Sequence, residues 1–258
     1  MDQQLTIVKI GGKVLEDPET RAVFLDDFSA LPGPKVLVHG GGRSATAMAQ
    51  RLGLETKMVE GRRITDADML EVVIMVYGGL INKNVVAGLQ SRGINAFGVT
   101  GADFNLIKAH KRTGTEIDYG FVGDVDEVHS APLSNLLKQG IVPVVAPLTH
   151  DGQGNMLNTN ADTIASALAV DFSNNFDTRL VYCFEKPGVL INPDDDNSVI
   201  PFLNRELFSM YREEGIIAEG MVPKLENGFN SLSNGVLEVV ITNIDGLSIP
   251  GRGTTLGD

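Results

Sequence analysis

The chain predicts an α/β fold: a mostly parallel sheet covered on both faces by helices. Three observations predict it. Short runs rich in Val, Ile and Leu alternate with segments of helical apolar spacing. The first two runs end in glycines, Gly11-Gly12 and Gly40-Gly41-Gly42, and each is followed by a helical pattern. At 258 residues the chain suits one large domain or two lobes on a shared sheet.

Taken in order, residues 5–10 read as a strand and 19–31 as a helix, with Val23, Phe24, Phe28 and Leu31 at helical spacing. Residues 36–39 read as the second strand and 45–52 as the next helix. Gly61 among the charges of 55–65 suggests a hairpin. Leu70, Val73, Val76, Tyr77 and Leu80 predict a long helix over 68–89. Residues 94–99, 106–109 and 119–125 read as short strands, 132–139 as a helix and 141–145 as a buried strand. Asp151-Gly152-Gln153-Gly154 is a turn signal, and 161–170 reads as a helix. Residues 171–178 turn polar, which places a lobe boundary there. Beyond it come a strand at 180–184, a polar loop at 192–198, helices from Arg205 and from Lys224, and a strand at 237–242. Asp194-Asp195-Asp196 reads as a solvated loop, and no internal repeat is seen.

Composition narrows the function. A net charge of -12 leaves no basic footprint for nucleic acid. The same charge repels anionic substrates, so a site for them must concentrate cations locally. Cys183 is the single cysteine, so no intrachain disulfide forms. His39, His110, His129 and His150 are too scattered for a metal motif. The start lacks the basic and apolar regions of a signal peptide. Apolar runs such as 141–148 are too short for a bilayer. A cytoplasmic protein with neither nucleic-acid nor membrane partners is expected.

Five motifs carry potential chemistry. Lys9 closes the first strand just before Gly11-Gly12. A buried lysine needs a partner or a task, and glycines let backbone N–H groups approach an anion. An edge-strand lysine before a plain turn reads equally well. His39-Gly40-Gly41-Gly42 ends the second strand as an anion cradle would, without the spacing of a Walker A or dinucleotide fingerprint. His39 itself reads as a packed histidine rather than a catalyst. Asn158-Thr159-Asn160-Ala161-Asp162 opens an apolar helix, either as a plain cap or as polar groups facing an anion. Lys224, after Gly220-Met221-Val222-Pro223, falls in the first turn of a helix, where the dipole opposes it. An anion beside it would explain that placement; an exposed surface lysine is the plain alternative. Arg62-Arg63 suits carboxylate recognition or a solvated hairpin.

In this order and spacing the motifs closely resemble those of the N-acetylglutamate kinases of the amino-acid-kinase family, from Lys9-Ile10-Gly11-Gly12 to Gly253-Thr254-Thr255-Leu256. The resemblance implies a three-layer αβα sandwich around one mostly parallel central sheet, in two lobes. Residues 1–173 would bind the N-acylglutamate and form a homodimer, and 174–258 would bind the nucleotide. It implies transfer of a phosphoryl group from MgATP to the side-chain carboxylate of N-acetyl-L-glutamate, an early step of arginine biosynthesis. Lys9 and Lys224 would contact the transferring group, with Asp162 between them. Gly11, Gly12 and Gly41 would donate N–H groups to phosphate oxygens. Gly41, Gly42, Arg63, Asn158 and Asn160 would hold the acyl amino acid. No protein metal site is implied, since Mg²⁺ rides on the ATP.

Several stretches depart from the family pattern. Cys183-Phe184-Glu185-Lys186-Pro187-Gly188-Val189 replaces a usual Asp-Val-x-Gly-Val, Phe104 stands for a glycine, and Arg43-Ser44 for Pro-Gln. N-succinylglutamate therefore stays open as the substrate. Sibling kinases acting on glutamate, carbamate or an N-acylated aminoadipate, and a non-catalytic binder on the same fold, are the competing readings. The first strand begins within a few residues of Met1, before which arginine-inhibited members carry an extra helix. A homodimer without arginine feedback is expected.

Overall fold

The computed structural model describes residues 3–59, 61–217 and 220–257. Met1 and Asp2 of the acidic start and Glu60 of the expected hairpin lie outside them. In chain order the amino-terminal part holds β1 (Gln4–Ile10), α1 (Gly12–Glu16), α2 (Pro18–Ala30), β2 (Lys35–His39) and α3 (Gly42–Arg51). The hairpin β3 (Met58–Val59) and β4 (Arg62–Arg63) leads to α4 (Ala67–Val73), a π-helical stretch (Ile74–Ile81) and α5 (Asn82–Gln90). Then come β5 (Ala96–Val99), β6 (Ile107–Lys111), β7 (Gly123–Val128), α6 (Ala131–Leu137), β8 (Val142–Val145), β9 (Leu148–His150), β10 (Met156–Asn158) and α7 (Ala161–Phe172). The rest holds β11 (Asp177–Phe184), β12 (Phe202–Leu203), α8 (Arg205–Glu213), α9 (Val222–Ser233), β13 (Glu238–Asn243), α10 (Ile244–Leu247) and β14 (Thr254–Leu256).

Eight strands form the main sheet in the order β12-β14-β13-β11-β1-β2-β8-β5. Its ladders are parallel except for β13 against β14. Burial on both faces explains the continuous apolar runs of β1, β2 and β8. The strands order as they do because β11, beyond the polar 171–178 stretch, returns to pair with β1 along its whole length. The two portions therefore share one sheet.

Alternation divides the core. Leu5, Ile7, Val36 and Val38 pack with residues of α7, α8 and α9. Val8, Ile10 and Leu37 pack with residues of α2, α3 and α5 on the other side. The long helix expected at 68–89 forms as a 24-residue rod, α4 to α5, and an 18-residue stretch of it has mean hydropathy 1.6. By length and composition it could cross a membrane, but Val72, Val73, Val76, Ile81, Val85 and Leu89 are core residues under the sheet.

The mostly parallel central sheet expected from the sequence is present, and beside it β10-β9-β6-β7 form a second, four-stranded sheet and β3-β4 a separate hairpin. The 119–125 strand begins later, at Gly123. The edge-strand reading of Lys9 also fails: β1 lies between β11 and β2 in the interior of the main sheet.

Candidate active site

Leu5, Ile7 and Lys9 share one face of β1, so Lys9 emerges beneath α7 and α9. It is 8% exposed. Its ammonium lies 2.6 Å from Asp162 Oδ1. That contact is a close, largely buried ion pair. Lys224 Nζ donates to the other carboxylate oxygen, Oδ2, at 2.7 Å. Burial pushes the Asp162 pKa up, but Lys9 and Lys224 outweigh it and hold the carboxyl at about 2. Asp162 is thus an ionised bridge between two lysines from opposite ends of the sequence.

Local sequence builds this bridge. Asn160 caps α7, its Oδ1 accepting from the N–H of Asp162 at 2.7 Å and of Thr163 at 3.3 Å. Asp162 in the first turn suits the helix dipole. Pro223 starts α9 and places Lys224 in its first turn, against the dipole, where the Asp162 carboxylate compensates. A buried pair of hydroxyls, Ser166 and Ser231 at 2.6 Å, ties α7 to α9. Tyr182, in register with Lys9 on β11, donates its hydroxyl to the Asp162 carbonyl at 3.3 Å.

The two glycine loops lie on one another. A Cβ at Gly12 would come within 3.1 Å of Gly41 N, and one at Gly40 within 3.2 Å of Gly12 N. Gly40 N–H donates to Ile10 O at 3.0 Å. Gly12 and Gly42 open α1 and α3, so unpaired helix N–H groups converge here. The Gly11 N–H, expected to face a phosphate, is donated to Cys183 O at 3.2 Å as the last rung of the β1–β11 ladder. His39 is a packed histidine, bonded by Nδ1 to Gly40 O at 3.0 Å and by Nε2 to Asn82 Nδ2 at 3.2 Å.

Beside these loops runs a cleft of about 200 Å³. Gly41, Gly42, Arg63, Asn158 and Asn160, all singled out from sequence, line it together. Arg63 is tied down by Nη2, which donates to Gly42 O at 2.7 Å and Thr46 Oγ1 at 2.8 Å. Asn158 Nδ2 donates to Thr65 Oγ1 at 2.9 Å. Ala161 and Thr163, on either side of the bridging Asp162 in sequence, also line the cleft, so the carboxylate bridge is carried by a segment of its wall. Tyr77, Arg112 and Asp124 are among the lining residues that sequence reasoning did not assign to a site. Arg112 Nε donates to Asp124 Oδ2 at 3.0 Å across the β6–β7 ladder, a pairing no linear spacing reveals. Among the described lining residues, Arg62, Arg63 and Arg112 accompany one acid, Asp124, a local cation excess of the kind the overall charge demanded.

A second, mostly apolar cavity of about 130 Å³ is lined by Gly188, Val189, Leu190, Pro193, Ile217 and Met221, among others. Met221 adjoins the start of α9, which carries Lys224.

Comparison with known proteins follows the same chemistry. A sequence model of the amino acid kinase family matches residues 4–243. The acetylglutamate kinase of Bacteroides fragilis is 61% identical over 242 residues, covering 94% of this chain and 93% of that one. The acetylglutamate kinase of Phocaeicola vulgatus is 57% identical over 256 residues, covering 99% of each. Among solved structures, smu.665 from Streptococcus mutans UA159 superposes with a TM-score of 0.81 at 24% identity, covering 98% of each chain.

Proposed function

The chain belongs to the amino acid kinase family, and from that premise we propose that it transfers the γ-phosphoryl group of MgATP to the side-chain carboxylate of N-acetyl-L-glutamate, an early step of arginine biosynthesis. One observation carries the reading: Asp162 bridges Lys9 and Lys224 beside an arginine-lined cleft.

The nucleophile is a carboxylate, ionised at neutral pH, so no general base is required. The barrier is the approach of one anion to another. Lys9 and Lys224 offset charge on the transferring oxygens, and Asp162 fixes their spacing. The N–H groups of Gly12 and Gly41 add dipoles toward the phosphates. The Gly11 N–H joins them only by giving up Cys183 O. Arg63, Asn158, Asn160 and Gly42 hold the acyl amino acid. The apolar cavity near Met221 takes the nucleotide base, which makes 174–258 the nucleotide lobe and 1–173 the substrate lobe. Mg²⁺ enters as part of the nucleotide substrate.

The homodimer rests on the 67–90 rod, where Met75 is 53% and Leu80 49% exposed. The cytoplasm fits an enzyme that uses ATP and keeps a buried free thiol, Cys183. N-succinylglutamate is a second reading, favoured by the three arginines of the cleft. Acyl phosphate trapped with hydroxylamine decides between them. N-acetylglutamate, N-succinylglutamate, glutamate and N-acetylaminoadipate would be run in parallel. Product from N-acetylglutamate alone supports the first reading, and product only from N-succinylglutamate the second. No product from folded, ATP-binding protein sinks both.

A further inference from the structure

The apolar pattern of 68–89 reads Tyr77 as a core residue, and it is only 5% exposed. Yet it is the one aromatic side chain among the residues lining the cleft. It stands in the π-helical stretch between α4 and α5. Such stretches are rare and recur at functional sites.

The widened turn presses on the glycine loop. A Cβ at Gly41 would lie 2.5 Å from Ile81 Cδ1 and 2.8 Å from Tyr77 Cδ1. Only glycine lets the loop lie on the tyrosine ring, and that contact fixes the ring from one side. Its hydroxyl lies beside the Arg63 guanidinium. Burial raises the phenol pKa while Arg63 pulls the other way, so the hydroxyl keeps its proton at neutral pH. Arg63 has committed Nη2 to Gly42 O and Thr46 Oγ1, and Nη1 faces Met69 Sδ at 3.9 Å. An anion arriving here needs a further donor. A phenol oxygen that accepts from Arg63 still has its own O–H to give.

We propose that Tyr77 is a substrate-binding residue whose hydroxyl donates to the α-carboxylate of the N-acylglutamate, beside Arg63 and Asn158. The inference rests on the reaction proposed above. The side-chain carboxylate must reach Lys9 and Lys224, which leaves the α-carboxylate for the arginine side of the cleft. Tyr77 then discriminates amino-acid-derived substrates from simple carboxylates.

The test is Tyr77→Phe, which removes one oxygen and keeps the ring that packs on Gly41. Steady-state constants would be measured for N-acetylglutamate and MgATP. The inhibition constant of N-acetyl-4-aminobutanoate, which keeps the amide and reacting carboxylate but lacks the α-carboxylate, would be measured on both proteins. Loss of one hydrogen bond to a charged group raises KM for N-acetylglutamate about tenfold. KM for MgATP and the inhibition constant of the analogue stay unchanged, and kcat moves less than threefold. An unchanged KM for N-acetylglutamate overturns the assignment. So does an equal weakening of N-acetylglutamate and the analogue, because a packing role would affect both. Wild-type protein inactive on N-acetylglutamate would instead overturn the reaction itself, a different result from an active wild type with an unaffected Phe variant.

Discussion

Lys9, Asp162 and Lys224 come from a strand and two helices, yet one carboxylate holds both ammonium groups. Removing either lysine leaves Asp162 with a single partner and strips charge from the transferring group. Lys9→Ala and Lys224→Ala are each expected to lower kcat by roughly two decades or more. Near-normal turnover in either variant would remove that lysine from the mechanism. His39 makes a separate, pH-dependent statement. Burial depresses its pKa from 6.5 to about 4, outweighing the Gly40 bond that favours the charged form. A folded pKa below the unfolded one gives stability that is complete above pH 6.5 and is lost as the pH falls toward 4. Between pH 7 and 5 the wild type should lose about 2 kcal/mol that a His39→Gln variant does not lose. Urea titration of both proteins at the two pH values checks this, and parallel losses would refute it. The lysines were legible in the sequence because each sits where its charge is locally unfavourable or next to glycines, whereas Asp162 looks like part of an ordinary helix start and its place between them was implied only by the family resemblance. Tyr77 was not legible, because a phenol at helical spacing looks like any core aromatic.

The glycine loops and the 67–90 rod explain each other. Gly41 adopts an extended φ of 174, so its lack of a side chain answers crowding rather than a strained backbone. Gly41→Ala would drive a methyl into Ile81 and Tyr77. Overpacking of this kind costs about 1–3 kcal/mol, and the loop lies directly on the cleft. The variant is therefore expected to melt lower and to show a higher KM for the acyl substrate. A melting point and KM both equal to wild type would show that the loop has room. At this scale the main sheet was readable, because parallel strands buried on both faces leave unbroken apolar runs ended by glycine. The second sheet was not. Residues 106–109 and 119–125 read as strands, but in β7, Gly123–Val128, acids alternate with Val125 and Val128, and nothing in that pattern assigns it to a separate sheet until β6 pairs with it on one side and with β9 on the other. The π-helical stretch was hidden for a related reason: it packs against Gly41, which is distant in sequence, and apolar spacing alone reads as ordinary helix.

At the scale of the molecule, one sheet carries two cores, and the site sits where its two portions meet at the ends of β1 and β11. The proposed homodimer adds a second copy on the outer side of the 67–90 rod. That rod buries Val72, Val73, Val76 and Ile81 inward but leaves Met75 and Leu80 half in solvent. Half-exposed apolar side chains on an apolar rod gain most if a partner covers them. Leu80→Glu places a charge on that surface and leaves the core-facing stripe alone. Sedimentation is expected to give a dimer for the wild type and a monomer for the variant. The melting temperature should rise with protein concentration only in the wild type, because association stabilises the folded chain by mass action. A wild type that is monomeric at every concentration, or a variant that still dimerises, would move the interface away from this rod. Since the same rod places Tyr77 and Ile81 against the Gly41 loop, a monomeric Leu80→Glu variant with a raised KM would also show that assembly helps to shape the cleft.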